Sequence, residues 1–188
     1  VWLTDHFYPY PNPTIEPVFE CWTTLSALAS ETSKIRLGTM ALCNSYRTPS
    51  VLAKMAATLD VISGGRLDFG IGAGWYEPEY IAYGIPFPKT AVRIQQLKEA
   101  IQIMKRIWTE EKATYQGKYY TIKGAINSPK PIQQPHPPIW IAGEGEKLTL
   151  RVVAELADAS NFWGLTPEEC RHKIQVLEHH CLRVNRNI

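Results

Sequence analysis

The sequence has no apolar run approaching the roughly 20 residues that a membrane-spanning helix needs. It has no block or stripe of one charge either. Its 20 lysines and arginines are mixed with 18 aspartates and glutamates, for a net charge of +2. That mixing removes the electrostatic footprint of a nucleic-acid or membrane-surface binder. Cysteine is scarce: Cys21, Cys43, Cys170 and Cys181 form no CxxC and no zinc-like pairing with histidine. Reduced, buried thiols of a cytoplasmic protein fit this usage better than a disulfide framework. His179-His180-Cys181 does not alter that, because adjacent helical positions point in different directions. Two phosphate motifs are also missing. There is no GxxxxGK[ST] loop, and no glycine-rich βα turn is followed about 20 residues later by an acidic residue at a second strand end.

What the sequence does contain is a repeating rhythm. Val1 to His6 opens on an apolar strand, and Phe7 to Pro13 is a proline and aromatic loop that cannot be helical. Thr14–Ser33 reads as a helix, with Phe19, Trp22, Leu25, Leu28 and Ala29 at helical spacing. Ile35–Cys43 is apolar nearly throughout, as a strand covered on both faces should be. Ser50–Ile62 is a second helix, Arg66–Ile71 a third strand after a Gly64-Gly65 turn, and Thr90–Trp108 a third helix. Trp75 to Pro88 reads as a long aromatic and proline-rich connection. Ala113–Ile122 reads as a hairpin turning at Gln116-Gly117. Then come a strand at Pro138–Ala142, a helix at Lys147–Leu156, a strand at Asp158–Phe162 and a helix at Thr166–Val184.

Regular strand–helix alternation predicts an α/β fold with a parallel sheet. Residues able to carry chemistry follow every strand rather than gathering at one switch point, which suits a (β/α)8 TIM-type barrel over an open doubly wound sheet. Five strand–helix units do not close eight strands, and two raw edges would remain. The expectation is one incomplete barrel domain over residues 1–188, about strands 2 to 6, lacking the first strand–helix unit and the last two.

Gly70, Gly72 and Gly74 alternate at the end of the third strand. Glycine weakens a strand, and its usual justification is close approach of a ligand or another backbone. A tight strand-to-helix corner explains the run as well. Asp5-His6, at a strand end, can give or take a proton near neutral pH, or be a satisfied pair on a barrel rim. Cys43-Asn44-Ser45-Tyr46-Arg47 offers donors, an aromatic face and a cation, or simply a helix cap and a solvated arginine. Gly143-Glu144-Gly145-Glu146-Lys147 precedes a helix and so is a phosphate-site candidate, with a plain glycine turn as the alternative. Tyr10, Trp75 and Tyr76 can stack on a planar ring or pack locally.

Four segments in this order carry a family resemblance: Val1-Trp2-Leu3-Thr4-Asp5-His6-Phe7; Leu37-Gly38-Thr39-Met40 through Tyr46-Arg47-Thr48-Pro49; Leu52 to Asp60; and Ser63-Gly64-Gly65-Arg66 through Gly70-Ile71-Gly72-Ala73-Gly74-Trp75. From residue 1 to about 165 the chain resembles the luciferase-like flavin and deazaflavin oxidoreductases, most of all their coenzyme F420-dependent branch. The resemblance implies a TIM-type barrel with coenzyme F420, or alternatively FMN, at the C-terminal rim of the strands. It implies Asp5 and His6 beside the reactive centre, with His6 handling the proton. It implies a cis peptide at Met40–Ala41 behind the ring, Cys43 and Asn44 on the pyrimidine side, and room for ring and chain at Gly72, Ala73 and Gly74. Gly143, Glu144, Gly145 and Lys147, with Asn161, would hold the phosphate end. Tyr10, Trp75 and Tyr76 would line the substrate pocket, and no metal is implied.

Sugar-phosphate dehydrogenases of this family carry glutamate where Trp75 stands and tryptophan where Tyr10 stands, which argues against the same substrate. Three readings follow. One is a hydride-transferring F420 enzyme acting on a small organic molecule, another an FMNH2-dependent monooxygenase using O2, and the third a degenerate barrel without catalysis. Family members often dimerise, so a homodimer through the first two helices is expected, with neither nucleic acid nor membrane as a partner.

Overall fold

The structure is a computed structural model that describes residues 1–12 and 14–188. Pro13, the end of the expected proline loop, lies outside the described residues. In chain order the elements are β1 (Trp2–Leu3), α1 (Cys21–Glu31), β2 (Leu37–Thr39), β3 (Leu42–Cys43), a 3-10 turn (Asn44–Tyr46), α2 (Pro49–Ser63), β4 (Leu67–Gly72), α3 (Glu77–Ala82) and α4 (Thr90–Thr109). A hairpin of β5 (Ala113–Gln116) and β6 (Thr121–Ala125) follows, then β7 (Ile139–Ala142), α5 (Thr149–Leu156), β8 (Ala159–Asn161) and α6 (Pro167–Arg183).

β1, β2, β4, β7 and β8 lie side by side in that order, every pair parallel, and β3 continues past β2 to pair with β4. Five parallel neighbours in this order, with helices between them in sequence, make one arc of a TIM-type barrel. β1 and β8 are the open edges of the sheet among the described residues. Leu37, Leu42, Leu67, Phe69, Ile71, Ile139 and Ile141 are wholly buried and share one core with Leu25, Leu52, Leu97, Ile101, Met104 and Trp108 from the helices. Each such side chain contributes roughly 1.5–3 kcal/mol by leaving water. Trp2, Thr39, Gly70, Trp140 and Ala142 line a shallow cavity with Met40, Ala41 and Asn161.

Four of the sequence expectations are corrected in this part of the fold. The first helix begins at Cys21 rather than Thr14: extended Glu20 caps it by accepting the Thr23 N–H at 2.7 Å, and Ile15 and Phe19 stay exposed. The strand expected over Ile35–Cys43 is two short pieces, interrupted at Met40–Ala41. The hairpin turn spans residues 117–120, where Glu99 of α4 accepts the N–H groups of Lys118, Tyr119 and Tyr120, so the second strand runs on to Ala125. The connection after β4 contains a helix of its own, α3.

Arg66 holds the corner before β4. Its guanidinium donates to the carbonyls of Ala29, Thr32, Ile35 and Ser63 and to the Thr32 hydroxyl. One cation thus collects orphan carbonyls from the ends of α1 and α2, where the helix dipoles favour it.

Candidate active site at the C-terminal rim of the sheet

Asp5 follows the end of β1 and is buried, 4% exposed. Its Oδ2 accepts the Cys43 N–H at 2.9 Å and Arg47 Nη1 at 2.8 Å, and its Oδ1 accepts Arg47 Nη2 at 2.9 Å. Burial, the largest influence, lifts the Asp5 carboxyl above its ordinary range, against the pull of Arg47 and the Cys43 N–H. Both oxygens are committed, so Asp5 ties the exit of β1 to the exit of β3. Arg47 is no solvated cation.

His6 stands one residue further out. Its Nδ1 lies 2.9 Å from Glu79 Oε2, and its Nε2 has no hydrogen-bond partner among the described residues. Tyr10 stacks on the imidazole (centroids 5.5 Å, interplanar angle 13°), while Trp75 and Tyr76 meet it edge-on at 6.1 and 5.7 Å. The three expected pocket aromatics therefore gather around one ring, with Tyr10 and Trp75 half exposed to solvent. Glu79, on α3, is the residue the sequence reading missed. It is fully buried and also accepts the Phe7 N–H and the Tyr46 hydroxyl. The faint signal was an acid between two aromatics in Trp75-Tyr76-Glu77-Pro78-Glu79-Tyr80.

Met40, Ala41 and Asn161 also come together. The Met40–Ala41 peptide is cis, and Asn161 Nδ2 points at Met40 Sδ across 3.8 Å. Next to them the three glycines separate by cause. A Cβ on Gly70 would sit 1.8 Å from the Thr39 carbonyl oxygen, and one on Gly74 would sit 1.8 Å from Tyr80 Oη. Those two glycines answer to the protein's own atoms. A Cβ on Gly72 would stand at ordinary contact distance from the Ala142 carbonyl oxygen, 3.5 Å, so of the three only Gly72 could take a methyl without displacing a neighbour. Ala73 is half-buried beyond it.

Cys43 Sγ lies 3.0 Å from Tyr80 Oη, and burial pushes both thiol and phenol up, so each keeps its proton. Asn44 is 1% exposed; its Nδ2 donates to Tyr120 Oη, and its Oδ1 has no partner. A buried amide oxygen left without a donor suits a heterocyclic N–H arriving from outside. It makes the residues present fit the N–H edge of a flavin or deazaflavin ring.

At the expected phosphate end, the Gly143 N–H donates to the Asn161 carbonyl, which joins that turn to the end of β8. α5 starts at Thr149 rather than Lys147, because the Leu150 N–H reaches back to the Gly145 carbonyl. Gly145 and Lys147 are exposed and Glu144 is half-buried. Glu146 is held from α6 by Lys173 at 2.6 Å and His172 at 3.1 Å, and the Lys173 hydrogen bond draws its carboxyl below the usual glutamate range. His180 bonds the Glu146 carbonyl, and His179 beside it is exposed.

The luciferase-like monooxygenase family matches residues 1–186. The chain belongs to that family. An F420-dependent glucose-6-phosphate dehydrogenase of Kineococcus radiotolerans is 37% identical over 151 residues, covering 79% of this luciferase-like chain and 43% of that protein. An FMNH(2)-dependent dimethylsulfone monooxygenase of Pseudomonas putida is 30% identical over 147 residues, 78% of this chain and 39% of its own. Among solved structures, an F420-dependent secondary alcohol dehydrogenase in complex with an F420-acetone adduct shares the fold at a TM-score of 0.87 and 24% identity, over 99% of this chain and 56% of that one. The chain spans about half the length of the curated relatives it matches, 51% for a Mycobacterium tuberculosis protein of uncharacterised function.

Proposed function

We propose that this chain forms the cofactor rim of an oxidoreductase that moves a hydride between coenzyme F420 and a small organic substrate. The observation that carries this reading is the state of His6: fixed through Nδ1, unpartnered at Nε2, and walled by Tyr10, Trp75 and Tyr76. When bound, the deazaflavin supplies the centre that takes or gives the hydride.

The chain's own residues do the rest. Met40, Ala41, Gly72 and Ala73 would lie behind and beside the ring, with Cys43 and Asn44 on its pyrimidine side. Gly143 to Lys147 and Asn161 would hold the phosphate end. His6 would take or return the substrate's hydroxyl proton at Nε2, and the aromatic wall would keep water from it. The nearby arginines are occupied: Arg47 by Asp5 and Glu20, Arg93 by the Gly74 and Pro88 carbonyls. That favours an uncharged substrate with a flat or apolar face.

Titrating the full-length protein with coenzyme F420 and with FMN tests the proposal. F420 binding, with turnover falling about 10²–10⁴-fold in His6→Ala while the coenzyme still binds, is the expected result. Tight FMN binding with oxygen consumption and no F420 binding overturns it in favour of the monooxygenase reading, which the Pseudomonas putida relative supports.

A further inference from the structure

We propose that Glu79 is the positioning residue that sets the tautomer of His6, keeping the ring proton on Nδ1 and leaving Nε2 bare at the rim. This rests on His6 being the proton-handling group. Glu79 and His6 are 73 positions apart in the chain, and α3 exists in a form that joins them. The carboxylate is wholly buried and meets three groups: the Phe7 N–H on Oε1 at 2.8 Å, the Tyr46 hydroxyl on Oε2 at 2.7 Å, and His6 Nδ1 on Oε2 at 2.9 Å.

The first two settle the third. A backbone N–H can only donate. Tyr46 keeps its proton, since burial and then the bond to Glu79 hold its phenol far above the usual range. Two donors already converge on the carboxyl, one at each oxygen, which is the environment of an acceptor rather than of a group that gives a proton. The remaining contact is therefore an Nδ1–H donated by His6. Tyr10 stacked on one face and Trp75 and Tyr76 at the edges hold the ring in that orientation.

The geometry also says what an isosteric change should do. In Glu79→Gln, one end of the side chain must be an oxygen and the other an NH2. The Phe7 N–H cannot reverse, so the oxygen goes there. The NH2 then faces Tyr46 and His6, both of which can turn to accept. His6 should respond by accepting at Nδ1 and carrying its proton on Nε2, which blocks the nitrogen the reaction needs.

The test is 15N NMR of labelled histidine in the full-length protein, recorded with the ring neutral. Expected are an Nδ1–H, bare-Nε2 imidazole in the wild type and in Tyr46→Phe, which removes one donor without touching His6, and the inverted tautomer in Glu79→Gln. An Nε2–H ring in the wild type, or one tautomer shared by wild type and Glu79→Gln, overturns the assignment. The wild-type spectrum decides even if Glu79→Gln does not fold. In turnover, Glu79→Gln should lower kcat by about 10²–10⁴ with KM little changed. An inverted tautomer with unchanged kcat upholds Glu79 as the setter of the ring and removes His6 from the chemistry, so the two readings fail separately.

Discussion

Arg47 grips Asp5 with both terminal nitrogens and shares Nη2 with Glu20 at 2.6 Å. The Asp5–Arg47 pair is nearly dry, its side chains 2% and 13% exposed. Removing one member leaves a buried charge alone, which costs far more than the intact pair contributes.

Arg47→Met should therefore lose about 3–5 kcal/mol at neutral pH in urea unfolding. Its pH dependence has a definite sign. Burial already lifts Asp5 above its unfolded value, and without Arg47 only the Cys43 N–H opposes the lift. A group whose folded pKa lies above its unfolded one loses its contribution as pH rises through the folded value. The deficit should be smallest in acid and widen toward neutrality, and a deficit that does not change with pH would contradict this account.

Gly70→Ala and Gly72→Ala should part company. The first drives a methyl into the Thr39 carbonyl and should cost about 3 kcal/mol, the upper end of ordinary overpacking. The second meets ordinary contact distances and should change stability by less than about 1 kcal/mol while weakening cofactor binding. Thermal melts and cofactor titration read the two effects independently. Full cofactor affinity in Gly72→Ala would mean the ring lies elsewhere.

Arg66→Lys tests whether the corner before β4 needs a fork or only a charge. An ammonium has three donors on one atom and cannot span carbonyls from Ala29 to Ser63. A loss of about 2 kcal/mol is expected, with faster amide exchange in the last turns of α1 and α2 together. Wild-type exchange in either helix end would show that the two are not joined through this side chain.

Thiol reactivity should follow burial. Cys21 and Cys43 are buried and pushed toward the unreactive thiol, whereas Cys170 on α6 is partly exposed. A colorimetric disulfide reagent should label Cys170 in the native protein and reach Cys21 and Cys43 only on unfolding.

Long elements were legible because their faces repeat. α2, α4 and α6 carry apolar residues at helical spacing, and their ends agree with the structure to within one residue. α1 was misjudged at its start because Phe19 fits the same stripe as Trp22 and Leu25, and spacing alone does not say which apolar residues find a partner. At the rim, Asp5-His6 and the three aromatics were readable as local clusters. Glu79 was not, since its significance depends on Phe7 and Tyr46, which the fold brings in from other parts of the chain. The glycine run shows the same limit. Three identical residues at regular spacing turn out to differ: a Cβ would collide with the protein's own backbone or side chains at Gly70 and Gly74, and would meet only ordinary contacts at Gly72.

The rim is built in two tiers, and they differ in how freely they can vary over evolutionary time. Asp5 and Arg47 are interlocked by buried charge, and buried Glu79 is tied to His6, Phe7 and Tyr46 by hydrogen bonds, so a lineage that alters one must repair its partners. Tyr10 and Trp75, half in solvent, can be exchanged for little loss of folding stability. The outer tier can thus be redrawn alone, while the inner one is inherited unchanged.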